Sequence, residues 1–320
     1  MSSSRREFLI ALGAMGVGAA AAACTKNQPI NPPPSAPEPG SIRALMAGSQ
    51  QLSLFSGAGA DTPLTPGKQL FGFALTTPQS ALVTGGSPQV YLASDQTSRA
   101  AGPFPAAWYP FNGYDATHDT SPRSPIAQGL YSVSLDFAGP GNWYVAAVAQ
   151  GNSGKAVGVG AVPVAVTTDN APGTKAVSVR TPVATTEAGL KQICTRTPPC
   201  HMHAVSLDAA LRNGKPTVVV FATPLLCESR LCGPVTDEQI LVAQKYGARA
   251  NFIHVEEFLP GPQLQPPAAE AQNRSAGFKA WHLLSEPWVF VIDRKGKISA
   301  RLGPGPVVAP QIEQELKRVL

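Results

Sequence analysis

The chain has 320 residues, which is enough for about two domains of ordinary size, each with its own core. A small disulfide-dense protein, which lacks such a core, is therefore excluded. Charged residues make up only 14%, and the chain holds 30 glycines and 32 prolines, a composition typical of a β-rich exported protein. The net charge of +5 is small and comes without a basic cluster, so we expect no nucleic-acid partner.

Residues 1–23 have the pattern of an export signal. The stretch "SRREFLI" at 3–9 holds two adjacent arginines, and an apolar run rich in glycine and alanine follows it. It resembles a twin-arginine signal, with Ile10 where lysine is usual. The run ends in "AAAC", which resembles a bacterial lipobox with Ala21 in place of leucine, and this resemblance implies that Cys24 is lipidated. We therefore expect an exported protein, anchored by lipid to the outer face of the cytoplasmic membrane. A soluble exported protein and an uncleaved anchor are the alternatives.

Residues 24–41 are rich in proline and contain almost nothing that could pack, which predicts an extended tether. In residues 42–182, short apolar stretches that alternate at period two are separated by glycine, proline, asparagine and serine. This pattern predicts an all-β sandwich. The hairpin "YSVSLDFAGPGNWYVAAVA" resembles one found in immunoglobulin-like modules of exported bacterial proteins. The predicted strands are 50–56, 68–75, 88–94, 129–137, 142–149, 156–166 and 175–180.

Helix-type segments alternate with strands in residues 183–320. The order is β, α, β, α, β, β, α, and Pro287 stands immediately before the last pair of strands. Residues 216–320 resemble thioredoxin-like domains, in which a dithiol follows the first core strand and a cis-proline faces it. The resemblance implies an α/β thioredoxin-like fold for this part of the chain, with Pro287 as the family's proline. The predicted elements are strand 217–222, helix 235–247, strand 250–258, helix 271–283, strands within 288–303 and helix 310–320.

Cys227 and Cys232 follow directly on the strand predicted at 217–222, in the stretch "TPLLCESRLCGPV". Residues five apart on one helix point about 140° away from each other, so the pair needs a loop in order to meet. The resemblance implies thiol–disulfide exchange by Cys227 and Cys232, with Pro287 as a further catalytic residue that faces them. The substrate would be exported protein thiols and disulfides or a membrane redox partner. A structural disulfide in a non-enzymatic binding protein is one alternative.

Copper binding is the second alternative. Copper-insertion proteins of the Sco type combine C-x-x-x-C with one distant histidine, and thiolate and imidazole ligands suit copper. His254 and His282 are the candidate third ligands, although His254 falls in a predicted buried strand, where a histidine is more often a core residue. His203 belongs to a separate cluster, "CHMH", at 200–203.

Cys194 and Cys200 enclose two prolines and are expected to close a small structural disulfide. The alternative is a second dithiol that passes electrons to Cys227 and Cys232. The chain holds no phosphate-binding loop, zinc-protease motif or serine-hydrolase motif, so those classes of enzyme gain no support.

Overall fold

A computed structural model describes residues 37–60, 62–113, 128–151, 154–166, 169–227, 229–259 and 273–320. The predicted signal, the predicted lipid-bearing Cys24 and most of the predicted tether lie outside these ranges. Pro37–Leu320 form one compact unit. Within the described residues, no helix is long and apolar enough to cross a membrane.

The first half of this unit folds into one eight-stranded sheet. The strands are β1 (Gln50–Phe55), β2 (Gly67–Thr76), β3 (Gln89–Ala93), β4 (Ala101–Pro105), β5 (Ala107–Pro110), β6 (Gly129–Phe137), β7 (Gly141–Gly151) and β8 (Gly154–Val164). Their order is β4-β3-β7-β8-β1-β2-β6-β5. All neighbours are antiparallel except β1 and β8, which are parallel. The sheet curls until β4, at one edge, contacts β6 near the other.

The curled sheet encloses its own hydrophobic core. Side chains at alternate positions of β2 and β6, such as Phe71, Phe73, Leu135 and Phe137, are buried inside it. The period-two pattern of the sequence predicts this arrangement, because successive side chains of a strand point to opposite faces. A short helix, α1 (Ile42–Met46), packs against β7 and β8.

The second half is built on a four-stranded sheet with the order β10-β9-β11-β12. Strand β9 is parallel to β10 and antiparallel to β11, which is antiparallel to β12. Every residue of β9 is buried, as its continuous apolar run predicts. The strands are β9 (Thr217–Ala222), β10 (Asn251–Glu256), β11 (Trp288–Ile292) and β12 (Ile298–Leu302), and the helices are α2 (Glu187–Leu190), α3 (Leu207–Ala210), α4 (Cys232–Tyr246), α5 (Ala276–Ala280) and α6 (Ala309–Lys317).

Helices α4 and α6 pack against the eight-stranded sheet. The buried carboxylate of Glu238 accepts hydrogen bonds from the backbone N–H of Gly113 at 2.7 Å and of Ala309 at 2.7 Å. Gln311 on α6 donates a hydrogen bond of 2.8 Å to Ser132 on β6. These contacts tie α4 to α6 and to the segment after β5, and they tie α6 to β6.

The predicted fold class, an immunoglobulin-like sandwich followed by an α/β thioredoxin-like domain, is wrong. The described residues are mostly β: one mixed sheet of eight strands that nearly closes on itself, one sheet of four strands and six helices, most of them short. The parallel pairing of β1 with β8 joins strands that a sandwich would place in two separate sheets. Among the helices of the described residues after Thr181, only α4 and α6 are longer than five residues. The strand predicted at 175–180 is reduced to an isolated bridge between Lys175 and Lys297.

Candidate functional site

Cys227 and Cys232 meet between the end of β9 and the start of α4. The loop between them turns at Arg230, whose φ is 57°, and the Cys227 sulfur accepts a hydrogen bond of 3.2 Å from the backbone N–H of Cys232. Cys232 is the first residue of α4, so this N–H has no acceptor inside the helix. Ser229 Oγ lies 3.3 Å from the same sulfur. The expectation that the pair uses a loop is confirmed, and both residues are free thiols in the structure.

The two thiols differ in how readily they ionise. The hydrogen bond from the Cys232 thiol, acting against burial and aided by Ser229 and two backbone N–H groups, lowers the pKa of Cys227 to about 6. Burial raises the pKa of Cys232 well above its usual range, and the negative charges of Cys227 and Glu286 raise it further. At neutral pH the pair is therefore one thiolate and one thiol.

Glu286 and Pro287 lie directly before β11, on the same side as the pair. The Glu286 carboxylate and the two sulfurs all lie within 4.8 Å of one another. The Glu286–Pro287 peptide bond is cis, and the Pro287 carbonyl accepts a hydrogen bond of 3.1 Å from Gly305. The sequence pointed to Pro287 but not to Glu286. The position of Glu286 immediately before Pro287 was the only signal for it in the sequence.

Two exposed leucines stand close in sequence to residues of this site, one to Cys227 and one to Glu286. Leu225 stands two residues before Cys227 and is 68% exposed, and Leu284 stands two residues before Glu286 and is 58% exposed. Leucines on a surface are common, but these two belong to the segments that carry Cys227 and Pro287.

A second cluster unites Cys194, Cys200, His203 and His254. Each offers a sulfur or a ring nitrogen, and these four atoms lie within 4.8 Å of one another. The two sulfurs are 3.9 Å apart, and His254 Nδ1 lies 3.8 Å from Cys194 Sγ and 3.3 Å from Cys200 Sγ. All four residues are buried. Both cysteines are free thiols in the structure, so the predicted disulfide between them stays a prediction.

Local structure brings the four residues together. Cys194, Cys200 and His203 lie on the irregular segment between α2 and α3, which runs beside the free edge of β10. The Met202 carbonyl accepts a hydrogen bond of 2.8 Å from the backbone N–H of His254, which fixes His203 next to that strand. The centres of the two imidazole rings are 5.0 Å apart.

Buried polar groups surround this cluster. The Glu256 carboxylate accepts hydrogen bonds from the backbone N–H and the hydroxyl of Thr195, at 2.6 Å and 2.8 Å. His254 Nε2 lies 3.4 Å from the carbonyl of Ala222 and 3.6 Å from Glu256 Oε1. His203 Nε2 is buried and has no hydrogen-bond partner among the described residues.

The charges of the second cluster depend on one another. The hydrogen bond from the Cys200 thiol, with support from the two histidines, holds the pKa of Cys194 well below its usual range. The Cys194 thiolate and burial raise the pKa of Cys200. Burial opposes the protonation of His254, but the Glu256 carboxylate and Cys194 raise its pKa to about 9. Burial also raises the pKa of Glu256, to about 8.

The structure separates the histidines considered as copper ligands. His254 and His203 join Cys194 and Cys200, whereas the group formed by Cys227 and Cys232 includes Glu286 and, among the described residues, no histidine. His282 is exposed, and its Nδ1 lies 3.0 Å from a carboxylate oxygen of Asp169.

One segment contacts both clusters. The Thr195 hydroxyl donates to Glu256 and accepts a hydrogen bond of 3.3 Å from the backbone N–H of Leu225, in the loop that leads to Cys227. Its neighbour Arg196 forms a partly buried ion pair of 2.5 Å with Asp237 on α4. Neither a protein-family model nor a curated protein matches the chain. The chemistry of the two clusters therefore has to be inferred from their own geometry.

Proposed function

We propose that this protein is an exported, lipid-anchored thiol–disulfide oxidoreductase that acts through Cys227 and Cys232. The observation that carries the proposal is the hydrogen bond from the first N–H of α4 to the Cys227 sulfur, beside a second thiol that stays protonated. Low-pKa cysteines at helix N-termini are the reactive ones, since the thiolate is the nucleophile. A purely structural disulfide needs no such asymmetry.

The exchange proceeds in two balanced steps. The Cys227 thiolate attacks one sulfur of a partner disulfide, the Cys227–partner bond forms, and the other partner sulfur leaves with the electron pair. Cys232 then loses its proton, attacks Cys227 Sγ and releases the second partner thiolate. Two electrons pass to the partner, and Cys227 and Cys232 end as a disulfide. The reverse sequence oxidises a partner dithiol and leaves the pair reduced.

Two observations support the cellular setting and the partner. The "SRREFLI" stretch and Cys24 support export and a lipid anchor, which place the pair where disulfides persist. The exposed Leu225 and Leu284 offer apolar surface on the segments beside Cys227 and Pro287. Such surface suits a polypeptide substrate, so we propose exported protein thiols and disulfides, or the thiols of a membrane redox protein, as partners.

The reduction potential of the Cys227–Cys232 pair tests the proposal. The protein is equilibrated in glutathione buffers of graded ratio, the remaining thiols are trapped by alkylation, and the redox state of each cysteine is read by mass spectrometry. We expect a potential between about −120 and −270 mV, the range of known dithiol oxidoreductases. A value below about −300 mV would contradict the proposal and support a binding protein with a structural disulfide.

A further inference from the structure

The second cluster has the ligand types and spacing of a tetrahedral metal site. A zinc ion binds cysteine sulfur at about 2.3 Å and histidine nitrogen at about 2.0 Å, so tetrahedral ligands lie about 3.8 Å apart for two sulfurs and about 3.5 Å apart for sulfur and nitrogen. The separations here are 3.9 Å between the sulfurs and 3.8 and 3.3 Å from them to His254 Nδ1. A ring nitrogen of His203 lies within 4.8 Å of these three atoms and is the candidate fourth ligand.

We propose that Cys194, Cys200, His203 and His254 bind one zinc ion in a closed, four-coordinate site. The proposal goes beyond thiol–disulfide exchange, because none of these residues takes part in that reaction. The two thiolates neutralise the charge of a divalent cation, and the two imidazoles are neutral. The complex therefore carries no net charge into the interior. Tetrahedral sites of two sulfurs and two nitrogens are typical of zinc, and closed ones are structural.

The surroundings of His254 match those of a metal-bound histidine. Such a histidine usually directs its second ring nitrogen at a carboxylate or a backbone carbonyl, which fixes the ring. His254 Nδ1 faces the sulfurs, while Nε2 faces the Ala222 carbonyl and Glu256. Glu256 is in turn held by Thr195. The contacts that would hold the ring of His254 are therefore already in place.

His203 supplies an independent observation. Its Nε2 is buried without a hydrogen-bond partner among the described residues, which is costly for a polar atom unless something else satisfies it. A cavity lined by His203, His254 and Glu256, together with Ile193 and Thr181, borders both imidazole rings.

The ion would connect two parts of the chain that regular structure leaves apart. Three ligands lie on the irregular segment between α2 and α3, and the fourth lies on β10. Metal binding at such a site contributes directly to folding, since the unfolded chain has no preformed site. The site therefore holds residues 194–203 against the sheet, beside the loop that carries Cys227.

Metal titration of the full mature chain tests the proposal. The protein is purified under reductant, stripped with a chelator and titrated with Zn²⁺ against a chromophoric competitor, and with Co²⁺, whose absorption reports tetrahedral thiolate ligation. We expect one ion per chain and a thiolate-to-cobalt absorption band. Replacing Cys200→Ser or His203→Ala should weaken Zn²⁺ binding at least about 100-fold. Cys227→Ser is the matched control and should bind as the wild type does.

The outcomes are distinct. Folded, reduced wild-type protein that binds no Zn²⁺ would overturn the proposal, as would a Cys194–Cys200 disulfide in protein isolated without reductant. Copper instead of zinc at this site in protein isolated from its own cells under reductant would overturn the assignment to zinc. The cobalt spectra of the wild type and of Cys227→Ser together decide the question even where a ligand variant fails to fold. Equal loss of binding in Cys227→Ser would move the site to the other cluster.

Discussion

The two cysteine clusters lie near the same end of β9, yet their surroundings differ. Cys227 faces a helix N-terminus, a hydroxyl and a carboxylate, and 9% of the residue is exposed. Cys194 and Cys200 face two imidazoles in a buried pocket. All four cysteines are buried, so the neighbouring groups make the difference: backbone donors favour a reactive thiolate, whereas nitrogen ligands favour a bound ion. The neighbours of a cysteine pair, more than its spacing, decide its chemistry.

The largest expected effect comes from removing either thiol of the first cluster. Cys227→Ser and Cys232→Ala should each lower the rate of disulfide reduction by at least about 100-fold, because each step needs one of these sulfurs. Only Cys232→Ala should accumulate a mixed disulfide at Cys227, since the attacking sulfur remains and the resolving one is absent. A fluorescent disulfide peptide gives the rate, and mass spectrometry gives the trapped species.

The residue that forms the mixed disulfide distinguishes the two clusters, and Cys227→Ser is the control. In zinc-loaded protein, the mixed disulfide should form at Cys227 and at neither Cys194 nor Cys200. Exchange that persists in Cys227→Ser would show that Cys194 and Cys200 are a redox pair. The chemical roles assigned to the two clusters would then be wrong.

The next effect is a pH dependence. Because the pKa of Cys227 is about 6, its alkylation by iodoacetamide should be near its maximum at pH 7 and fall about tenfold for each pH unit below 6. Cys232→Ala removes the thiol hydrogen bond that lowers this pKa most, so the midpoint should rise by at least about one unit. Mass spectrometry of the Cys227 peptide gives the rates. A wild-type midpoint near 8.5 would contradict the assigned thiolate.

The smallest effect concerns Glu286. Its negative charge raises the pKa of Cys232, so Glu286→Gln should ease the deprotonation of Cys232 and speed the resolving step about threefold. Attack by Cys227 should change less than twofold. Rapid-mixing kinetics separate the two steps. A slower resolving step in this variant would instead identify Glu286 as the group that accepts the Cys232 proton.

Local pattern was enough to predict many strands. Six of the seven strands predicted before residue 182 match β1, β2, β3, β6, β7 and β8 within a few residues. The apolar run of β9 and the helix after the cysteines were also predicted, although α4 begins at Cys232 and the prediction began at Val235. Pro234 is tolerated there because the first N–H groups of a helix have no internal acceptor.

Long-range pairing was not predictable in the same way. The parallel register of Gln50 with Ala156 leaves no trace in either segment alone, and it turns two expected sheets into one. The same limit applies to the second cluster. His254 has an ordinary explanation as a core residue, and no local pattern places His203 beside it. The backbone hydrogen bond between Met202 and His254 is what makes their rings neighbours.

The pairing of β1 with β8 also sets an order of events during synthesis. Strand β1 can pair with β2 soon after synthesis, but its pairing with β8 cannot form until residues 154–164 have been made. The hydrogen bond of Ser132 likewise requires Gln311, near the end of the chain. Contacts so distant along the chain form slowly, and until then unpaired strand edges are exposed to aggregation.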